Sequence, residues 1–179
     1  VQAGGALEEG GGEDPEQAPA YQEALEAAGS GDMDRAVQLL TTHLNGRSDH
    51  AGGWSDLGVL HYHKGDLDEA RKCFETALAL PSGWRTLACE NFVECLLASN
   101  ERERAEVLAE HWIEKAAEMP EAWLLWARFK TDEGNLAEAR KAVQRAVSID
   151  PTNEVAGSYL AEIEQAVERA GTASAASEE

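Results

Sequence analysis

The chain has 179 residues, 43% of them hydrophobic, with 15 Lys and Arg against 34 Asp and Glu and a formal net charge of −19 at pH 7. This composition suits one soluble domain or a short repeat array, and it opposes nucleic acid as a partner, because a phosphate backbone is held by Lys and Arg. No stretch approaches the roughly 18–20 consecutive apolar residues of a membrane span, so no membrane insertion is expected.

Residues 1–17 hold five acids, no basic residue and two runs of glycine. They offer too little apolar surface to offset ordering entropy, and a disordered tail is expected there. Beyond them an alanine recurs at Ala36, Ala70, Ala105 and Ala139, at separations of 34, 35 and 34 residues. A period near 34 made of two helices marks stacked helical hairpins, assigned to 18–50, 51–82, 83–119 and 120–151. Trp54, Leu57, Gly58 and His61, then Leu67, Ala70, Phe74, Ala77 and Leu78, recur at spacings of three and four, which gives each helix one apolar stripe. Small residues, Gly58 or Ala127 on the first helix and Ala70 or Ala139 on the second, let the two backbones approach. Gly65 and Gly134 suit a left-handed turn, and Asp66 with Glu69, Asn100 with Glu103 and Asn135 with Glu138 read as capping boxes. Pro120 and Pro151 suit first helical positions, whereas Pro81-Ser82-Gly83-Trp84 predicts an irregular join. Residues 152–170 read as a closing helix and 171–179, Ala/Ser-rich and acidic, as a second disordered tail.

The second hairpin carries Trp54, Leu57 and Gly58, the run Lys64-Gly65-Asp66-Leu67-Asp68-Glu69-Ala70, then Phe74, Ala77 and Leu78. The fourth carries Pro120 and Trp123, the run Glu133-Gly134-Asn135-Leu136-Ala137-Glu138-Ala139, then Ala146 and Ile149-Asp150-Pro151. On these residues the sequence resembles the tetratricopeptide repeat family over about 20–151. The first hairpin departs from the pattern in lacking the early Trp, and the third has Cys89, Phe92 and Val93 where Trp, Leu and Gly are usual. The resemblance implies an all-α solenoid of about four hairpins plus a C-terminal capping helix, wound as a right-handed superhelix.

Chemistry finds little support in the residues. None of the phosphate-cradling, nucleophile-elbow or helical zinc motifs occurs. His61 and His63 lie two residues apart, about 200° of helical rotation, and cannot chelate one ion together; His43, His50 and His111 have no acidic or Cys ligand at useful spacing. Cys73, Cys89 and Cys95, odd in number and without C-x-x-C spacing, read as buried reduced thiols. Glu90 and Glu94 share a helical face, better read as an acidic stripe than as an acid/base pair. Trp54, Trp123 and Trp126 read as core; Trp84 and Trp112 are open, with Trp84 the better candidate for an exposed contact. The chain is therefore expected to be no enzyme, with no cofactor and no metal.

In the family, the first helices of successive hairpins line a concave groove that takes an extended peptide or a partner helix. Carried onto this chain, the groove positions are Tyr21, Leu25, Ser55, Val59, Tyr62, His63, Glu90, Glu94, Leu97, Leu124, Arg128 and Asp132. The set is apolar at one end and acidic in the middle, which predicts a protein or peptide partner with apolar anchors and basic residues. Some relatives clamp a terminal carboxylate with Lys, Arg and Asn. Asn91 fits one clamp position, but Ser55 and Val59 stand where Lys and Asn are needed, so that clamp is not expected. The leading expectation is a non-enzymatic protein-interaction scaffold. Its alternatives are the recognition module of a larger enzyme or secretion assembly, and a small secretion-type chaperone shielding an apolar segment. No basic start followed by an apolar block marks a signal peptide, so a cytoplasmic location is expected, with a removed leader compatible with a start at Val1. The oligomeric state stays open.

Overall fold

A computed structural model describes residues 14–176, and every regular element among them is helical. The first hairpin pairs α1 (Pro19–Gly29) with α2 (Met33–Gly46), and the second pairs α3 (Ala51–Lys64) with α4 (Leu67–Ala79). The third pairs α5 (Thr86–Ala98) with α6 (Arg102–Lys115), the fourth pairs α7 (Pro120–Asp132) with α8 (Leu136–Ile149), and α9 (Glu154–Ala176) packs on α8. The chain divides into two compact units between Gly83 and Trp84, α1–α4 forming the N-terminal unit and α5–α9 the C-terminal unit.

Each hairpin turns in the same way. Gly31, Gly65, Asn100 and Gly134 all have positive φ, from 58° at Asn100 to 84° at Gly31. Three turns use the residue without a Cβ and the third uses Asn, the side chain that tolerates this region best after glycine. Only part of the expected capping chemistry forms. The Asn135 side chain accepts from Glu138 N–H at 3.2 Å, and Asp32, not singled out in the sequence, accepts from Arg35 N–H at the same distance. Asp66 holds the N-cap position of α4 without a side-chain cap bond, its carboxylate lying 3.5 Å from His61 Nδ1. Asn100 is not a cap, because Glu101 precedes α6 and Asn100 is spent on the turn. Pro120 starts α7, but Pro151 falls in the link ahead of α9, where Asn153 caps by accepting from Ala156 N–H at 2.9 Å.

Within the N-terminal unit, Leu40, Leu44, Leu57 and Leu60 form the core with the alanines of α1. At Gly58 the Phe74 ring lies against the backbone. Gly83 packs on the end of α4 so tightly that a Cβ there would sit 1.8 Å from the Ala77 carbonyl oxygen, which explains why the irregular join carries glycine. In the C-terminal unit the largest fully buried side chain is Trp112, whereas Trp123 and Trp126 are half-buried, as is Trp54 in the N-terminal unit. All three nonetheless pack against the core, Trp54 on the N-terminal cluster and Trp123 and Trp126 on the C-terminal one. Trp54 and Trp123 lie across helix ends, donating Nε1–H to the Ser48 and Ala117 carbonyls at 2.9 and 2.8 Å. The Trp126 ring lies under Lys130 Nζ at 4.1 Å, and that buried ammonium also pairs with Glu106 at 2.6 Å.

Cys73, Cys89 and Cys95 are buried thiols that form no disulfide among the described residues. Burial pushes the Cys73 thiol up to about 11 and the Cys89 thiol up to about 12. Of the tail expected over 1–17, residues 1–13 lie outside the described residues, while Pro15–Gln17 form a 3-10 turn capped by Asp14. The tail expected from Gly171 is helical as far as Ala176, since its alanines continue α9 at little cost; residues 177–179 lie outside the described residues.

Candidate peptide-binding cleft

The C-terminal unit contains an open cleft of about 810 Å³, lined by side chains of α5, α7 and the start of α9. Helical spacing brings the wall together: Glu90 and Glu94 stand four apart on α5, and Glu121, Leu124, Leu125 and Arg128 follow at three, four and seven on α7. Val155 and Tyr159, four apart on α9, close the third side, with Asn153 at the rim and Val155 69% exposed. Tyr159 is held by a hydrogen bond between its hydroxyl and Thr131 Oγ1 at 2.8 Å. A shallower depression of about 450 Å³ shares Val155 and Tyr159 and adds Glu154, Ser158 and Glu162.

The lining of the cleft combines apolar residues, Leu124, Leu125, Val155 and Tyr159, with the acids Glu90, Glu94 and Glu121. Arg128 Nη2 pairs with Glu94 at 3.1 Å, and Glu90 and Glu121 line the same cleft. Desolvation by the surrounding protein pushes the Glu90 pKa above the ordinary carboxylate value; Glu121 and Glu94 push the same way and Arg128 opposes them. A carboxylate in that condition gains from a cation brought into the cleft.

Four of the expected groove residues, Glu90, Glu94, Leu124 and Arg128, meet in this cleft. Leu97 is half-buried on α5, and Asp132, at the end of α7, is paired with Arg102 at 3.4 Å. In the N-terminal unit, Val59 and Tyr62 are half-buried and Leu25 and His63 exposed. Ser55 and Tyr21 are buried there, and the Tyr21 hydroxyl donates to Asp56. Sequence reasoning missed Glu121, Leu125, Asn153, Val155 and Tyr159. The available signal was the Val155/Tyr159 pair, apolar residues one helical turn apart on a helix read only as a solvating cap.

Family models for the tetratricopeptide repeat match residues 51–80, which are α3 and α4, and residues 120–163, which are α7, α8 and the first part of α9. The chain carries tetratricopeptide repeats. Its fold is the all-α solenoid type of that family. No curated protein matches the repeat chain by sequence. Among solved structures it is similar to MamA 41-end from Desulfovibrio magneticus RS-1, with 18% identity, a TM-score of 0.64 and 87% of each chain covered. It is also similar to YrrB, described as a TPR protein with an unusual peptide-binding site, with 19% identity, a TM-score of 0.59 and coverage of 86% of this chain and 79% of that one. The first TPR of Spaghetti (RPAP3), bound to the HSP90 peptide SRMEEVD, matches with 19% identity and a TM-score of 0.54, over 66% of this chain and 93% of that one.

Proposed function

We propose that this repeat protein is a non-enzymatic interaction scaffold whose working site is the cleft of the C-terminal unit, and that it takes a partner segment carrying an apolar anchor and a Lys or Arg. The observation that supports this most is the presence in one cleft of apolar residues, Leu124, Leu125, Val155 and Tyr159, together with Glu90 and Glu121. An apolar side chain entering such a cleft gains roughly 25 cal/mol for each Å² removed from water, and the cation beside it selects the partner. YrrB and RPAP3, by their descriptions, have peptide sites, which favours a peptide here as well. The acidic SRMEEVD segment seen with RPAP3 is the opposite in charge to what Glu90, Glu94 and Glu121 favour.

The test measures fluorescence anisotropy with labelled ten-residue peptides of Leu and Ala carrying two Lys, against matched peptides carrying two Glu. The Lys peptides bind and the Glu peptides do not. Glu90→Lys and Glu121→Lys weaken the Lys peptides by about tenfold or more, while Glu168→Lys, the same charge change on an exposed part of α9, does not. The ionised form of Glu90 is the one that attracts the cation, so affinity holds at neutral pH and falls as acidification passes through its raised pKa. Equal binding of both peptide sets, or equal losses in all three variants, removes the cleft from consideration.

A further inference from the structure

The N-terminal unit buries a polar cluster that the cleft does not use. His43 lies near the end of α2 and His50 just before α3; the turn between them closes with His50 N–H donating to the Arg47 carbonyl at 3.1 Å and brings the rings together. His43 Nε2 and His50 Nδ1 stand 2.9 Å apart with the ring planes at 79°. The Tyr21 ring from α1 packs on both, at centroid distances of 5.4 and 4.7 Å, and its hydroxyl donates to Asp56 of α3 at 2.5 Å. His43 and His50 are 7% and 6% exposed, and His50 Nε2 is buried with no hydrogen-bond partner. A Cβ on Gly53 would come within 2.9 Å of His50 Nδ1, so the imidazole is packed directly on the α3 backbone.

We propose that the His43–His50 contact is an acid-sensitive joint: the neutral pair holds α1, α2 and α3 together, and its double protonation opens the joint and loosens the Tyr21–Asp56 bond.

In the neutral pair matched tautomers let one facing nitrogen carry a proton and donate to the lone pair of the other. A first added proton goes to a nitrogen away from the contact and leaves that bond in place. A second takes the remaining lone pair, so that two N–H groups of two cations face each other and must part. The neighbours act in both directions. Arg47 on the α2–α3 link opposes charge on His43, whereas Glu16 and Asp14 ahead of α1 and Asp49 on the link favour charge on His50. Tyr21 and Asp56 are the remaining titratable groups at the cluster. Desolvation outweighs these, holding both histidines below the ordinary 6.5. Below that pH the unfolded chain binds more protons than the folded one, so the contribution is complete above 6.5 and lost as pH falls beneath it.

The experiment is a titration of the full chain by imidazole and amide NMR from about pH 7.5 to about pH 5, with urea unfolding at each end. His43 and His50 titrate below 6.5, and amides of residues 14–60 shift with the same midpoint. The unfolding constant of the N-terminal unit rises by up to about tenfold per pH unit for each histidine, and His50→Gln reduces that slope. Imidazoles titrating at the ordinary value without amide changes in 14–60, or a stability that does not move with pH, overturn the proposal. The wild-type titration decides it even where the variant fails to fold.

Discussion

Gly58 and Gly157 both lie in helices, yet an added methyl group meets opposite surroundings at the two. At Gly58 a Cβ would stand 2.9–3.0 Å from three atoms of the Phe74 ring, itself fully buried, while at Gly157 it would meet nothing within 4 Å. Gly58→Ala is therefore expected to destabilise by roughly 1–3 kcal/mol, since the ring must move. Gly157→Ala is expected to stabilise by about 0.5–1 kcal/mol through lower backbone entropy in the unfolded chain. Urea unfolding of the two variants gives the signs directly. At this scale the sequence was legible where a single residue had a single job, as with the small residue at the helix crossing. It was not legible for Trp112 or for His43 with His50. Trp112 is the most buried indole although its position carried no family signal, and the two histidines become neighbours only because the link after α2 folds back.

The helices themselves follow from stripes of apolar residues at spacings of three and four, and those stripes were plain in the sequence. Their ends were less so, because a capping residue is recognised by its type while the bond depends on where the side chain turns. Asn135 makes its bond and Asp66 does not, although both are followed three residues later by Glu. Asn135→Ala should consequently cost about 1 kcal/mol, and Asp66→Ala only the few tenths expected from the dipole of α4. Equal losses in thermal or urea unfolding would show that the bond to Glu138 N–H adds nothing. The closing helix offers a second lesson. Val155 and Tyr159 give α9 a face toward the cleft, so a helix expected only to shield the array also supplies part of the cleft wall. That role depends on α7 lying beside α9, information that no periodicity within α9 contains.

Across the whole molecule, 15 basic residues against 34 acids leave a surface that repels itself. At about 10 mM salt the Debye length is about 30 Å, and it shortens to about 8 Å at 0.15 M, so added salt should stabilise the fold. The melting temperature is expected to rise by several degrees between those conditions, while the Lys peptides bind more weakly over the same range. A melting temperature that falls with salt would mean that local ion pairs such as Arg128–Glu94 outweigh the overall repulsion. The three buried thiols carry a practical consequence of the same architecture. A disulfide reagent needs thiolate and access, and native Cys73 and Cys89 offer neither near neutral pH. Labelling therefore keeps time with breathing of the helices, Cys73 as the clock for the N-terminal unit and Cys89 and Cys95 for the C-terminal one, with no foreign probe installed.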